Sequence, residues 1–201
     1  MDNIVDVSEK TWIKLARNGD DDAFTVLVEA YQKPVYNLCY RMLSNTRDAE
    51  DAAQETFLRA YKALNRYDPK RKFLTWLLTI ASNYCIDQYR RRKLPSFSYD
   101  SLPVPEIPDK SIGMEKWMID GEKQDTVKKI LERLKPKDRS AVILRYWYDF
   151  SYEEIAETLS LSISAVKSRL HRSRKELASE WLSQQQGAVS AERTRYETPA
   201  I

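Results

Sequence analysis

The chain contains 201 residues, of which 42% are hydrophobic and 31% are charged, and its formal net charge is +3. This length allows one or two small domains, while so small a net charge gives no argument for a nucleic-acid or membrane partner. Only 4 glycines are present, and the lack of strong apolar–polar alternation predicts an all-α protein.

Four helices are predicted in the first half of the chain from the spacing of apolar residues. Asp20 begins an acidic run that provides an N-cap and first-turn acids for the second helix. Pro34 lies inside that helix and predicts a kink or local break, because proline lacks a backbone donor. Cys39 and Cys85 lie in apolar helical contexts, so we expect buried free thiols rather than a disulfide framework or a zinc site. The predicted helices cover residues 12–17, 23–42, 47–64 and 73–93.

The stretch FLTWLLTIASNYCIDQYRRRK, residues 73–93, begins as an apolar run and ends in consecutive cations. A membrane-spanning helix needs about 20 predominantly apolar residues, and this run is shorter and is interrupted by hydroxyl and amide side chains. The chain starts with MDNIVDVSEK, which lacks a basic segment followed by an apolar run, so we expect no signal peptide. We predict a core helix with a basic end, in a protein that is not inserted in a membrane.

Prolines mark a change of character after residue 94. Pro95, Pro103, Pro105 and Pro108 disfavour helix, which predicts an extended linker between two small helical domains. A flexible tether and a segment that docks in a groove are both compatible with this composition. The predicted organisation is a first domain at 1–94, a linker at 95–116, a second domain at 117–183 and a disordered or loosely helical tail at 184–201.

The second domain has the form of a helix-turn-helix, carried by SYEEIAETLSLSISAVKSRLHRSRKEL. Ser151 and Glu154 have the spacing of a capping box, and Leu161 is expected to fill the turn. Asp138 is expected to cap the helix before this motif. The predicted helices cover residues 117–134, 139–148, 151–159 and 163–182.

The last of these helices carries its cations mainly on one side, where they alternate with serines. Between residues 163 and 177 five cations stand against one acid. Long cations reach phosphates and guanine edges, and serines allow a close approach to a groove floor. This pattern indicates DNA binding. His171, the only histidine, is either a groove contact or ordinary helix surface. The predicted outer face consists of Ser164, Lys167, Ser168, His171, Arg172 and Lys175.

Two parts of the chain together resemble the bacterial sigma factors. The stretch DAEDAAQETFLRAYKAL, residues 48–64, followed by the 73–93 stretch, resembles sigma region 2. LKPKDRSAVILRYWYDFSYEEIAETLSLSISAVKSRLHRSRKEL resembles region 4, and the short chain is similar to the extracytoplasmic-function group. The resemblance implies a non-enzymatic subunit that binds core RNA polymerase. It would direct promoter-specific initiation at −35 and −10 elements and assist promoter melting.

The resemblance implies that the helix at 47–64 binds the clamp helices of the largest polymerase subunit, with the flap as a further polymerase contact. An apolar patch flanked by acids suits a helical partner rich in arginine. The residues implied for this face are Asp48, Asp51, Gln54, Phe57 and Leu58.

The resemblance also implies that the loop at 65–72 and the helix after it open the −10 element and hold one unstacked base in a pocket. Extruding a base costs a few kcal/mol, which stacking and base-edge contacts must offset. Trp76 is expected mainly in the core, and Asp87 either contacts DNA or orients nearby arginines through an ion pair. The residues implied are Arg66, Lys70, Lys72, Asn83, Asp87, Tyr89, Arg90 and Arg91.

The last helix is expected, by the same resemblance, to enter the major groove at the −35 element. Lys167, Ser168, His171 and Arg172 are implied as base or near-base contacts, and Ser164, Arg169 and Arg174 as phosphate contacts. Family members are restrained by anti-sigma proteins, so such a partner is expected. The location is expected to be cytoplasmic, with no cofactor, metal or small-molecule substrate.

One alternative is a stand-alone helix-turn-helix regulator that binds a palindromic site without polymerase. The acidic and apolar helix at 47–64 and the basic loop after it argue against this alternative. An enzyme is a weaker alternative, because the sequence contains no Gly-rich phosphate loop, no metal-ligand set and no nucleophile–base pair.

Overall fold

The computed structural model describes the backbone of residues 2–93 and 121–196 and the side chains of residues 9–92 and 127–179. The regular elements in these ranges are all helical, which confirms the all-α prediction. The predicted linker at 95–116 lies outside the described residues. The helices are α1 (Asp2–Arg17), α2 (Asp21–Leu43), α3 (Thr46–Ala63), a 3₁₀ turn (Leu64–Arg66), α4 (Phe73–Lys93), α5 (Gly121–Arg133), α6 (Pro136–Trp147), α7 (Tyr152–Leu159) and α8 (Ile163–Tyr196).

Short polar residues cap the N-termini of α2 and α3. The Asp20 carboxylate accepts a hydrogen bond from the Ala23 amide at 2.9 Å, as predicted, and Asn45 caps α3 in the same way. Because these bonds satisfy amides that have no partner inside the helix, they fix where α2 and α3 begin.

Helix α2 continues through Pro34, so the predicted break is wrong. Val35 and Leu38, which follow the proline, are fully buried in the core. Their burial stabilises the helix by more than the one backbone hydrogen bond that proline removes. The Pro34 carbonyl accepts a hydrogen bond from the Tyr148 hydroxyl of α6 at 2.7 Å, which ties this part of α2 to the second half of the chain.

Helices α1, α3 and α4 pack around α2, which contacts all three of them. A stripe of small side chains on α3, including Ala49, Ala52 and Ala60, is buried. Small residues let α3 approach α2 closely and leave its opposite side to solvent. Cys39 and Cys85 are buried free thiols, as expected.

The helix-turn-helix forms as the sequence predicts. Glu154 donates its amide to the Ser151 hydroxyl at 3.1 Å, and Ser151 donates its amide to the Glu154 carboxylate at 2.8 Å. Ser160 ends α7 in the left-handed region with φ 51°, where glycine is the usual residue. Leu161 packs half-buried against the core in the turn.

Two details of the second half differ from expectation. Asp138 does not cap α6, because α6 begins at Pro136 and Lys135 precedes it without a side-chain cap. Proline fits the first helical position, where no amide partner is needed, so Asp138 lies inside the first turn instead. Helix α8 also continues to Tyr196, past its predicted end near residue 182, through a stretch rich in glutamine and alanine, which are good helix formers.

The two halves of the protein pack against each other, since α2 and α4 contact α6, and α4 also contacts α7. The buried apolar residues of both halves form one cluster. In the described part of the chain no helix is both long enough and apolar enough to cross a bilayer.

Candidate functional site

The outer face of α8 is exposed, as the helical spacing predicts. Val166 and Leu170 are buried on its inner side, and the Lys167 ammonium lies 5.5 Å from the centre of the Tyr152 ring. These contacts fix the orientation of the helix while its polar side faces solvent. The exposed members are Ser164, Lys167, Ser168, His171, Arg172, Arg174 and Lys175.

Arg169 lies apart from this face. Its guanidinium donates to the Asp138 carboxylate of α6 at 2.6 Å, and both side chains are partly buried. This pair joins α8 to α6. We interpret Arg169 as a residue that positions α8, since its charge is already paired inside the protein.

One side of α4 brings together half of the residues predicted for the −10 element. Asn83, Asp87, Arg90 and Arg91 are exposed, and Trp76 is half-buried beside them. Arg90 lies 3.8 Å from the Asp87 carboxylate, a separation at which an exposed pair contributes little to stability. Asp87 is therefore placed to orient Arg90, which was one of its two predicted roles.

Tyr89 points elsewhere. It lies about a third of a turn around α4 from Asn83, on the side that meets α6, and the Arg139 guanidinium stacks over its ring at 5.5 Å. In this arrangement Tyr89 is occupied by a contact between the two halves. Sequence patterns could not predict this contact, because it joins residues 50 positions apart in different halves of the chain.

The loop at 65–72 forms one side of a cavity of about 1170 Å³. Lys70 and Lys72 line it, whereas Arg66 is exposed on the preceding 3₁₀ turn and is not among the lining residues. Helix α1 forms the facing side, a contribution that the sequence analysis missed. The Arg17 guanidinium donates to the Asn65 carbonyl at 3.3 Å, which links the two sides.

Tyrosines at the base of this cavity are held in place. The Tyr67 hydroxyl donates to the Arg71 carbonyl, and burial raises the pKa of Tyr67 to about 12. Burial also raises the pKa of Tyr31, and the Glu9 carboxylate, which accepts its hydrogen bond, raises it further. Both phenols therefore stay neutral at physiological pH, and the cavity keeps an excess of positive charge.

The predicted polymerase-binding residues of α3 divide into two groups. Asp51, Gln54 and Leu58 are exposed on the side opposite the alanine stripe, and Leu58 is 55% exposed. Asp48 instead forms an ion pair with Arg92 of α4, and Phe57 is half-buried at the edge of the core. The exposed trio is the part of this set that is free to meet a partner.

The contact between the two halves includes buried polar groups. Arg139 is only 2% exposed, and its guanidinium donates to the carbonyls of Met42 at 2.6 Å and Leu131 at 2.7 Å. Burial lowers the pKa of Arg139. The hydroxyls of Thr79 and Thr158 lie 3.0 Å apart, and those of Ser82 and Ser140 are hydrogen-bonded.

Comparison with known proteins identifies the two halves. Sigma-70 region 2 matches residues 27–94, and Sigma-70 region 4 matches residues 124–177. The ECF RNA polymerase sigma factor SigW of Bacillus subtilis (strain 168) is 37% identical over 176 residues, which cover 84% of this chain and 94% of that protein. The chain belongs to the extracytoplasmic-function (ECF) sigma factors. Sigma factors are not enzymes, and this one directs promoter-specific transcription initiation by RNA polymerase.

Further comparisons agree with an ECF sigma factor. The ECF RNA polymerase sigma-E factor of Escherichia coli (strain K12) is 32% identical over 177 residues, or 84% of this chain and 91% of that protein. The fold is similar to CnrH, solved with the cytosolic domain of CnrY, with a TM-score of 0.64 at 24% identity over 88% of this chain and 98% of that one. The fold is also similar to RpoE of Bartonella quintana, solved with the anti-sigma factor NepR. The TM-score is 0.59 at 24% identity, and the match covers 79% of this chain and 96% of that one.

Proposed function

We propose that this sigma factor binds core polymerase through α3, the −10 element through α4 and the 65–72 loop, and the −35 element through α8. The observation that carries this assignment is that three separate exposed helix faces have two different kinds of surface chemistry. One exposed helix face combines leucine with an acid, and two other faces combine cations with amide and hydroxyl groups.

The α3 face fits the clamp helices of the largest polymerase subunit. Leu58 provides an exposed apolar centre, with Asp51 and Gln54 on the same side of the helix. An apolar centre with a polar rim is the usual anatomy of a protein interface. The acid favours a basic partner and adds orientation to the contact. Region 4 is expected to meet the polymerase flap.

The α4 face and the loop fit a melted strand. Asn83 carries a donor and an acceptor for a base edge, while Arg90 and Arg91 follow it along the helix and can track phosphates. Melting needs no hydrolysis by this chain, because contacts to an extruded base and its phosphates offset the cost of unstacking.

Arg172 provides the prediction for the −35 element. It is exposed on the outer face of α8, and Arg172→Ala is expected to weaken promoter binding by about 1–3 kcal/mol if the side chain hydrogen-bonds to a base edge. The measurement is the affinity of the variant for the promoter and for scrambled DNA at one salt concentration. Equal losses on both DNAs would show a phosphate contact instead.

The packed arrangement of the two halves cannot recognise both promoter elements at once. Thr79 of α4 and Thr158 of α7 touch directly, whereas elements about 25 base pairs apart are separated by roughly 80 Å of B-DNA at about 3.4 Å per base pair. The chain between the halves, residues 94–120, can span roughly 90 Å when extended. We infer that the halves separate when the sigma factor binds polymerase and promoter.

An anti-sigma protein and a cytoplasmic location are part of the proposal. Two structural neighbours were solved with partners, one of them an anti-sigma factor. A partner of this kind would need to cover the faces of α3, α4 or α8 to prevent initiation.

The test of the proposed function is run-off transcription with purified core polymerase on a promoter library, with and without this protein. Initiation from a subset with shared, spaced −35 and −10 elements is expected. DNA binding without any gain in initiation, even with the cognate polymerase, would instead support a stand-alone regulator.

A further inference from the structure

We propose that α1 forms the second wall of the −10 strand site, with Lys14 and Arg17 binding the phosphates that flank the extruded base. This inference rests on the proposed role of the 65–72 loop, which forms the first wall. The residues of α1 lie before the segment that matches Sigma-70 region 2, which begins at residue 27. The proposal therefore adds DNA contacts from outside that segment.

The charge of the cavity indicates an anionic ligand. Among the described residues that line it, three cations come from α1 and three from the loop, and Glu9 is the single acid. The three loop cations are consecutive, from Lys70 to Lys72, and Arg71 is paired with Glu157 of α7 while the two halves are docked. Cations on two facing walls hold a phosphate chain between them better than one cationic surface does, because each phosphate is approached from both sides.

The single acid is already engaged. The Glu9 carboxylate accepts the hydrogen bond of Tyr31, so it fixes an aromatic ring at the base of the cavity. A ring at this position offers an apolar surface to a base, and base–aromatic stacking is tolerant of sequence. The lining of the cavity therefore combines cations with aromatic side chains, which is the chemistry that binds single-stranded nucleic acid.

Helix α1 is fixed relative to the loop before any ligand binds. Ile13 and Ala16 are buried against the rest of the first half, and Arg17 bonds to the Asn65 carbonyl. The chain then turns through Gly19, whose φ of 91° is strained for any side chain. A wall that is already in place loses little conformational freedom on binding.

Lys14 is the informative residue for a test, because it is exposed on α1 and lines the cavity. Run-off transcription on the promoter library first identifies a promoter. The assay then measures the affinity of polymerase holoenzyme for a premelted form of that promoter. Lys14→Gln is compared with Lys70→Gln on the loop and with Lys129→Gln, an exposed lysine of α5. Arg17→Lys keeps the charge and tests whether the guanidinium itself is needed.

For a single strand, the loss of one phosphate contact reduces the slope of the logarithm of the binding constant against the logarithm of the salt concentration by about 0.7 in magnitude. We expect Lys14→Gln to weaken binding roughly fivefold at 50 mM salt and less than about twofold at 200 mM. Lys129→Gln should match the wild type at both concentrations. On a strand with one methylphosphonate at the contacted phosphate, Lys14→Gln should have no further effect, since the contact is already lost.

The two proposals fail in different ways. If Lys70→Gln weakens binding and Lys14→Gln does not, the loop keeps its role and α1 is not part of the site. If neither variant weakens binding, the −10 strand does not lie in this cavity, and both proposals for the cavity are wrong. An equal loss for Lys14→Gln and Lys129→Gln would show an effect of net charge alone and would also overturn the α1 assignment.

Discussion

Leu58→Asp is expected to weaken binding of the sigma factor to core polymerase by at least about 30-fold, as for the loss of a central interface residue worth roughly 2 kcal/mol. Leu58 is 55% exposed at the centre of the α3 face, so the free protein should tolerate the change. In the complex the change would remove the buried apolar contact of Leu58 and would desolvate a carboxylate at its position. The measurement is the dissociation constant for core polymerase, with thermal unfolding as a check of the fold.

Val26→Asp is the matched control for this prediction. Val26 is an apolar residue of α2 with 36% exposure, and it lies outside the proposed interface. Its substitution introduces the same charge and should leave polymerase affinity unchanged. Polymerase affinity that survives Leu58→Asp, or that falls equally in both variants, would remove α3 from the proposed interface.

Arg139→Met is expected to release the two halves of the protein from each other. The change leaves the Met42 and Leu131 carbonyls without their donor and removes the contact with Tyr89. Only the bond to Met42 joins the two halves, since Leu131 and Arg139 both belong to the second half. A hydrogen bond to a charged group contributes roughly 1.5–3 kcal/mol, so the closed arrangement should lose about 2 kcal/mol, or roughly 30-fold in its equilibrium. Small-angle scattering should report a larger radius of gyration.

Arg145→Met separates this effect from a general loss of stability in the second half. Arg145 bonds to the Phe150 carbonyl at 2.8 Å and lies 5.1 Å from the Tyr152 ring, both within the second half. The Arg145→Met change should lower the unfolding temperature of the protein without increasing its radius of gyration. A folded Arg139→Met variant with an unchanged radius of gyration would contradict the role given to Arg139.

Local signals accounted for much of the fold. Asp20 and the Ser151–Glu154 pair act within one helical turn, so their spacing along the chain already contains the geometry. The local break predicted at Pro34 is wrong because the burial of the residues around it outweighs the loss of a single backbone bond. Element type was therefore more predictable than the behaviour of one residue inside an element.

Site residues were predictable only where a helix face acts alone. The outer face of α8 and the exposed trio on α3 follow from helical spacing. Tyr89 and Arg169 could not be placed in this way, because their partners, Arg139 and Asp138, are distant in sequence. The α1 side of the cavity was missed for the same reason, since only the folded chain brings it opposite the loop.

The docking of the two halves has a thermodynamic consequence for initiation. It occupies Tyr89 and pairs Arg71 of the loop with Glu157 of α7, so docking would compete with a −10 strand bound at the proposed site. If polymerase holds the halves apart at its clamp and flap, the free energy of separating the halves no longer weakens the binding of DNA. Polymerase and promoter then bind cooperatively through this sigma factor, and by reciprocity the promoter tightens the hold of polymerase on it by the same factor. A free sigma factor would remain a weak DNA binder, which limits its unproductive binding to promoters.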